Sequence, residues 1–130
     1  MYQKTTDDIT VFVEPAYSEE HSDPGENTFV WLYRIAIENG RSRPIKLCNR
    51  FWRIVDEKGH MEEVSGPGVV GQQPVIAAGE SFEYVSGAPL KTPSGMMGGY
   101  YSMMDLDGNL FTVEIPPFSL DSPYSAKVFH

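Results

Sequence analysis

Three glycines, Gly66, Gly68 and Gly71, give the sequence its clearest candidate for binding chemistry, because they match the dinucleotide pattern G-x-G-x-x-G. In that motif a helix opens directly after the glycines, and its N-terminus faces the pyrophosphate. Here Pro74 follows three residues after Gly71, and a proline disfavours α conformation in the residue before it. Residues 75–79 are also too few for a crossover helix. The segment therefore predicts a long connection between strands, serving as a structural or protein-binding loop.

A phosphate-binding alternative stays open for the same loop. Its glycines could present backbone N–H groups as an anion-binding nest, with Arg50 or Arg53 supplying positive charge. Pro67 has no N–H and weakens such a nest. The second hypothesis is therefore nucleotide or pyrophosphate binding through Gly66–Gly71.

Catalytic chemistry finds little support in the residue types. The histidines are His21 in a polar loop, His60 in a hairpin and His130 at the end of the chain, and none lies in a nucleophile motif. Cys48 falls in an apolar strand, where a cysteine usually acts as a small buried hydrophobe. No base, nucleophile and oxyanion donor come together, so we expect a noncatalytic protein without catalytic residues or a cofactor.

One acidic hairpin carries side chains of the types that bind metal ions. Its candidate oxygen and nitrogen ligands are Asp56, Glu57, His60, Glu62 and Glu63. Carboxylates of this kind could hold Mg²⁺ weakly through water. However, the spacing matches neither a zinc site nor an EF-hand. The pattern is more typical of a solvated acidic turn, and no metal site is expected.

A binding module needs an exposed apolar patch or a free sheet edge. The candidates are Val69 and Val70 in the glycine loop and the methionine pairs at 96–97 and 103–104, of which Met104 is expected to point outward. If Val69 is exposed, the change Val69→Asp should abolish partner capture without unfolding the domain. A free edge strand could also pair with its twin and form a homodimer.

Size and charge limit the functional classes. The chain has 130 residues and a net charge of −8, which predicts a single domain, 1–130, that does not bind nucleic acid. One cluster of basic residues forms either solvated strand faces or a local anion site: Arg34, Arg41, Arg43, Lys46, Arg50, Arg53 and Lys58. The single cysteine and the lack of an apolar leader favour a cytoplasmic protein without membrane insertion.

Period-two alternation of apolar residues recurs along the chain, and Gly and Pro interrupt it. The clearest strand directs Phe29, Trp31, Tyr33, Ile35 and Ile37 to one face. The first predicted strand begins at Ile9 and ends at Pro15. The further predicted strands span 29–38, 45–56, 61–64, 74–76, 81–85, 97–105 and 110–115. This pattern predicts an all-β, antiparallel β-sandwich with a core over about 9–115 and an extended tail over 116–130.

Several segments resemble the ApaG family over about 9–123. They are Arg50–Asp56, Gly66–Pro74, Tyr84–Gly87, Thr92–Tyr101 and Phe111–Pro116. The sequence departs from the family pattern at Cys48-Asn49, Phe51 and Ala78-Gly79. The resemblance implies a fibronectin type III-like, immunoglobulin-like sandwich. It also implies a genetic link to cobalt resistance and magnesium efflux in bacteria, and binding of an unidentified protein partner by the eukaryotic relatives.

Overall fold

The computed structural model describes residues 1–125, and it has the all-β, antiparallel sandwich architecture that the sequence predicts. Its strands are β1 (Tyr2–Thr6), β2 (Ile9–Tyr17), β3 (Phe29–Asn39), β4 (Ile45–Asp56), β5 (Met61–Pro67), β6 (Val75–Ile76), β7 (Ser81–Leu90), β8 (Ser94–Met104) and β9 (Leu110–Asp121). A short 3₁₀ turn spans Pro24–Glu26. Within these residues, no helix has the length and apolar character needed to cross a membrane.

Two sheets form the sandwich. The first has the strand order β1-β2-β3-β7, and the second has the order β5-β4-β8-β9, with β6 pairing the start of β4. All pairings are antiparallel. This arrangement is consistent with a fibronectin type III-like fold.

The core follows the alternation of the sequence. The five alternate residues of β3 that begin with Phe29 are all buried, whereas Leu32 and Arg34 between them are exposed. On β4, Trp52 is fully buried and Ile54 partly buried, as the parity of that strand predicts. The inward faces of both sheets therefore build one apolar core.

Strand ends were predicted less well. No strand is predicted before Ile9, but β1 pairs with β2 from Tyr2↔Val13 to Thr6↔Ile9. Because β1 lies at a sheet edge and is largely exposed, its polar sequence carries no apolar alternation. The predicted stop at Pro15 is also wrong, since β2 continues to Tyr17. Beyond Val13 the strand has a neighbour on one side only, and proline is tolerated there.

The predicted strand end at Pro116-Pro117 is likewise wrong. Strand β9 continues to Asp121, and Phe118 and Leu120 beyond the prolines are fully buried, so the core extends into the predicted tail. The prolines fall at a register irregularity opposite Gly98 on an edge strand, where no ladder hydrogen bond is lost. The remainder of that tail, 126–130 with His130, lies outside the described residues.

The two long sides of the sandwich differ. On one side β1 packs against β9, with an ion pair between Lys4 and Glu114 and a hydrogen bond from the Ser119 N–H to the Tyr2 hydroxyl at 3.3 Å. On the other side the edge strands β5 and β7 form no such seam. We term these the closed side and the open side.

Candidate functional site

The glycine loop forms a tight turn at one end of the open side. Val69 and Gln72 exchange two backbone hydrogen bonds of 2.8 Å, and between them Val70 and Gly71 have φ angles of 43° and 79°. Two central residues with positive φ are the mark of a type I′ hairpin turn. No helix follows the glycines, as Pro74 predicted.

The backbone N–H groups of this turn are largely used within the fold. The Gly68 N–H donates to the Cys48 carbonyl at 2.8 Å, and those of Val69 and Gln72 donate to each other's carbonyl. Gly68 has a φ of 62°, and a Cβ there would lie 2.0 Å from the Gln72 carbonyl oxygen. Gly68 thus serves close backbone packing and Gly71 a positive φ, and three N–H groups are unavailable for a phosphate nest.

Arg50 reaches the turn from the neighbouring strand. Arg50 shares the inward face of β4 with Trp52 and Ile54, and its Nη1 donates to the Pro67 and Gly68 carbonyls at 3.0 and 3.1 Å. The guanidinium lies over Gly66, where an added Cβ would be 3.2 Å from Nη1. None of the ion pairs within residues 1–125 involves Arg50, although the side chain is only partly exposed.

Arg53, the other proposed source of charge, lies on the opposite face of β4. It donates to Glu63 through Nη2 at 2.9 Å, and its guanidinium lies 5.7 Å from the Phe51 ring. Phe51 in turn stacks on Tyr100 at 5.0 Å. The structure therefore brings Arg50, and not Arg53, to the glycine turn.

The two valines of the loop have opposite environments. Val69 is 1% exposed and belongs to the core, which contradicts its prediction as a surface contact. Val70 is 52% exposed. Alternation within the tight turn places neighbouring side chains on opposite sides, so only Val70 remains as a surface candidate. Val69→Asp is therefore a core substitution and cannot probe partner capture.

The methionine pairs also divide. Met97 and Met103 are buried, whereas Met96 is exposed on the outer face of the second sheet and Met104 is partly exposed. The prediction that the Met104 side chain points outward is thus confirmed in part, because this side chain is partly exposed. Of these four methionines, Met97 alone lines the cleft on the open side.

A cleft of about 380 Å³ separates β5 from β7 beside the turn. Arg50, Trp52 and Ile54 of β4 line it, together with Val64 of β5 and Ser86 of β7. A second cavity of about 690 Å³ continues it, and both share Ile54, Glu62 and Pro89. We term the continuous depression from the turn to the β4–β5 hairpin the open-side groove.

Two tyrosines, Tyr33 and Tyr84, line the inner wall of this groove, and Tyr101 is buried behind them. The hydroxyls of Tyr84 and Tyr101 lie 2.5 Å apart and join the two sheets. Burial raises the pKa of Tyr33, against the opposing effects of its hydrogen bond with Ser86 and the charge of Arg50. Burial also raises the pKa values of Tyr84 and Tyr101. These phenols therefore stay protonated at neutral pH and act as hydrogen-bonding groups.

The acidic hairpin at the far end of the groove has its own internal order. The Asp56 carboxylate accepts the Lys58 and His60 N–H groups, each at 2.9 Å, and the His60 ring lies 3.3 Å away. Burial alone would raise the pKa of Asp56, but these backbone donors and His60 outweigh it and lower the pKa. Across residues 1–125, no group of three or more His, Cys, Asp or Glu side chains is placed to hold a metal ion.

Sequence reasoning missed the β7 side of the groove. Ser86, Gly87 and Pro89 read as turn residues, but β7 runs through them to Leu90. Glycine and proline are tolerated there because β7 is an edge strand that pairs with β3 alone. The signal that could have found this wall is the inward alternation of Tyr84, Ser86 and Ala88.

Fold and site together define a class: a two-sheet antiparallel sandwich domain with a groove between two free edge strands. The ApaG domain model matches residues 19–105, and the chain belongs to the ApaG family. It is 51% identical to protein ApaG of Rhizobium leguminosarum bv. trifolii, covering 100% of both chains. It is 54% identical to protein ApaG of Paramagnetospirillum magneticum, covering 95% of each. The solved structure of the ApaA protein from Bordetella pertussis superimposes with a TM-score of 0.86 at 45% identity, covering 91% of this chain and 96% of that one.

Proposed function

We propose that this domain is a noncatalytic protein-binding module and that the open-side groove is its binding surface. The observation that carries the proposal is the groove itself, which lies between two edge strands with unpaired main-chain groups. An extended segment that enters it can pair with β5 or β7 and bury apolar side chains against Trp52, Ile54 and Val64. Along β4 from Arg50 to Asp56 the groove is about 20 Å long, enough for about six extended residues.

The composition of the groove supports a noncatalytic role. No histidine or cysteine lines the cleft beside Arg50 in the part of the chain that the structure describes. His60 lies at the far end and pairs with Asp56, while Cys48 is buried behind the β4 backbone. The protonated phenols of Tyr33 and Tyr84 serve no base chemistry at neutral pH.

A selection from a displayed library of random peptides of about ten residues tests this function, since about six extended residues fill the groove. Peptides that bind should shift the amide NMR signals of Val64, Ser86 and Ala88 and leave the outer faces unchanged. Val70→Asp at the groove rim should weaken the selected peptides about tenfold or more, a change of about 1.4 kcal/mol.

Val85→Asp is the matched control, because Val85 is 54% exposed on the outer face of β7, against 52% for Val70. It should change peptide affinity less than about twofold, which is about 0.4 kcal/mol. Equal weakening by both variants, or peptides that map to an outer face, would remove the groove as the binding surface.

A second copy of the chain is the other protein occupant that an open edge allows. Pairing of two β5 or two β7 edges would give a homodimer. Sedimentation velocity over a wide range of protein concentration distinguishes a peptide partner from a second copy of the chain. If a dimer forms and the selected peptides compete with its formation, self-association is the function.

The proposal includes a link to cobalt resistance and magnesium efflux that acts through the protein partner. Asp56, the best-placed carboxylate of the acidic hairpin, already accepts two backbone N–H groups, which supports an indirect role. Cobalt should leave the hairpin amide signals in place below millimolar concentration, whereas selective broadening there at lower concentration would favour direct binding.

A cytoplasmic location completes the proposal. The single, buried Cys48 supports it because no internal disulfide can form. The net charge of −8 argues against a nucleic-acid partner.

Nucleotide or pyrophosphate binding is the second candidate, and one observation favours it: Arg50 is a partly buried cation without a carboxylate partner among residues 1–125. The committed N–H groups of Gly68, Val69 and Gln72 weigh against it. Titration with ATP and with pyrophosphate should shift Gly66 to Gly71 and the Arg50 side chain if this candidate is correct. Unchanged spectra at millimolar ligand would exclude it.

A further inference from the structure

We propose that the occupant of the open-side groove is an extended peptide segment with an acidic, an apolar and a basic side chain at every second position. The acidic side chain contacts Arg50, the apolar one Val64 and the basic one Glu62. This inference rests on the proposed function and names the partner chemistry of the same site.

The first step is the state of Arg50. Only Nη1 is engaged, and its two acceptors are backbone carbonyls, so the positive charge is not neutralised by them. In the described part of the chain, no hydrogen bond involves Nε or Nη2 of Arg50. A partly buried guanidinium with a free edge is suited to a carboxylate, which it binds through two parallel hydrogen bonds. Ser86 lines the same cleft and hydrogen-bonds with Tyr33.

The second step is the alternation of the β5 wall. Register pairs Gly66 with Arg50, Val64 with Trp52 and Glu62 with Ile54, so these three β5 positions share the inward face. Gly66 has no side chain, and the Arg50 guanidinium occupies the space above it. Along the wall the groove therefore presents a positive, an apolar and a negative group in that order, at intervals of two residues.

The third step follows from the geometry of strand pairing. A peptide strand that adds to a sheet edge places its own inward side chains at intervals of two residues, whichever direction it runs. Charge complementarity then requires an acidic residue at Arg50 and a basic residue at Glu62, with an apolar residue between them at Val64. A peptide with the reverse charge order would place a basic side chain against Arg50 and an acidic side chain against Glu62.

Peptide selection with variants of the folded chain tests this pattern. Peptides selected by the wild-type protein should be enriched in an acidic and a basic residue four positions apart, with an apolar residue midway. Arg50→Gln should remove the acidic preference and weaken a wild-type-selected peptide about tenfold or more, equivalent to about 1.4 kcal/mol. Arg53→Gln is the matched control, because Arg53 faces away from the groove, and it should leave the selected pattern unchanged.

Glu62→Lys provides an independent arm, since Glu62 is exposed and its replacement leaves the Arg50 contacts with the turn intact. It should convert the selected basic position to an acidic one. Peptides that shift groove signals but carry no acidic preference, or that keep a basic residue against Glu62→Lys, overturn this inference while the proposed function stands. Failure of every selected peptide to map to the groove overturns the proposed function itself.

Discussion

The two long sides of the sandwich solve the same problem, the covering of a sheet edge, in different ways. On the closed side β1 lies against β9, and the Lys4–Glu114 ion pair and the Tyr2–Phe118 ring contact at 6.0 Å join them. On the open side β5 and β7 stay apart, and the groove between them holds Arg50, which forms no ion pair within residues 1–125. Under the proposed function, exposed residues at the groove rim such as Val70 and Glu62 can change without opening the core, whereas buried lining residues such as Trp52 belong to it.

The largest effect is expected where the open side meets the core. Val69→Asp would bury a carboxylate without a partner in the apolar cluster, which should cost at least about 5 kcal/mol and prevent stable folding. Val70→Asp, one residue further, should change the free energy of unfolding by less than about 1 kcal/mol, since the side chain is exposed and Asp tolerates positive φ. Urea unfolding followed by tryptophan fluorescence measures both. Similar stability of the two variants would place Val69 outside the core.

The closed side should be the next most sensitive. Phe118 is fully buried and contacts the rings of Tyr2, Tyr33 and Trp52, so Phe118→Ala should lower the free energy of unfolding by about 3–5 kcal/mol. Val64→Ala in the open-side groove removes a partly buried side chain and should cost about 1 kcal/mol. The comparison fails if calorimetry and urea unfolding give Val64→Ala the larger cost.

A smaller loss is expected at the glycine turn. Gly68→Ala combines a positive φ with a Cβ 2.0 Å from a carbonyl oxygen and should destabilise by about 3 kcal/mol. Gly59→Ala is the matched control, with a φ of 85° and open space around its Cβ, and should cost about 1 kcal/mol. Equal midpoints of urea unfolding would show that the turn adapts to a side chain.

The smallest effect concerns two hairpins of the same design at opposite edges of the second sheet. Asp56 and Asp105 each accept two backbone N–H groups through one carboxylate oxygen. The Asn109 N–H is the main cause of the lowered pKa of Asp105, and in Asp56 the backbone donors outweigh burial. Because both pKa values are lower in the folded chain, their stabilising contribution is present above the ordinary value of 3.8 and is lost as pH falls below it.

Asp56→Asn and Asp105→Asn should therefore flatten the fall in melting temperature between pH 5 and pH 2, a range that spans the ordinary carboxyl pKa of about 3.9. Circular dichroism melts of each variant measure the slope. A wild-type slope in both variants would mean that these carboxylates do not couple folding to protons.

The fold could be predicted from the sequence because buried strands carry a clear alternation, as in Phe29 to Ile37. Strands that lie at a sheet edge carry no such alternation over their whole length. The polar β1 shows no such pattern. Pro15 and the pair Pro116-Pro117 predict strand ends and Pro89 predicts a turn, although an edge strand loses little from a missing N–H. Sequence patterns thus identify what is buried more readily than what is merely paired.

For the candidate site, Arg50 and its hydrogen-bonded environment were predictable from strand parity. The orientation of Val69 and Val70 was not, because both are β-branched and apolar, and only the turn decides which one is inward. The groove itself depends on which strands become edges on the same side, a property of sheet order that no local pattern contains.

The hydroxyl contact between Tyr84 and Tyr101 joins strand β7 of one sheet to strand β8 of the other directly behind the groove. It fixes the spacing of the layers at the depth where a ligand would end, and packed sheets lie only about 10 Å apart. An α-helix, with a diameter of about 10–12 Å including side chains, is too wide to enter between them. Under the proposed function, the occupant at that depth is therefore expected to be a single extended chain and not a helical segment.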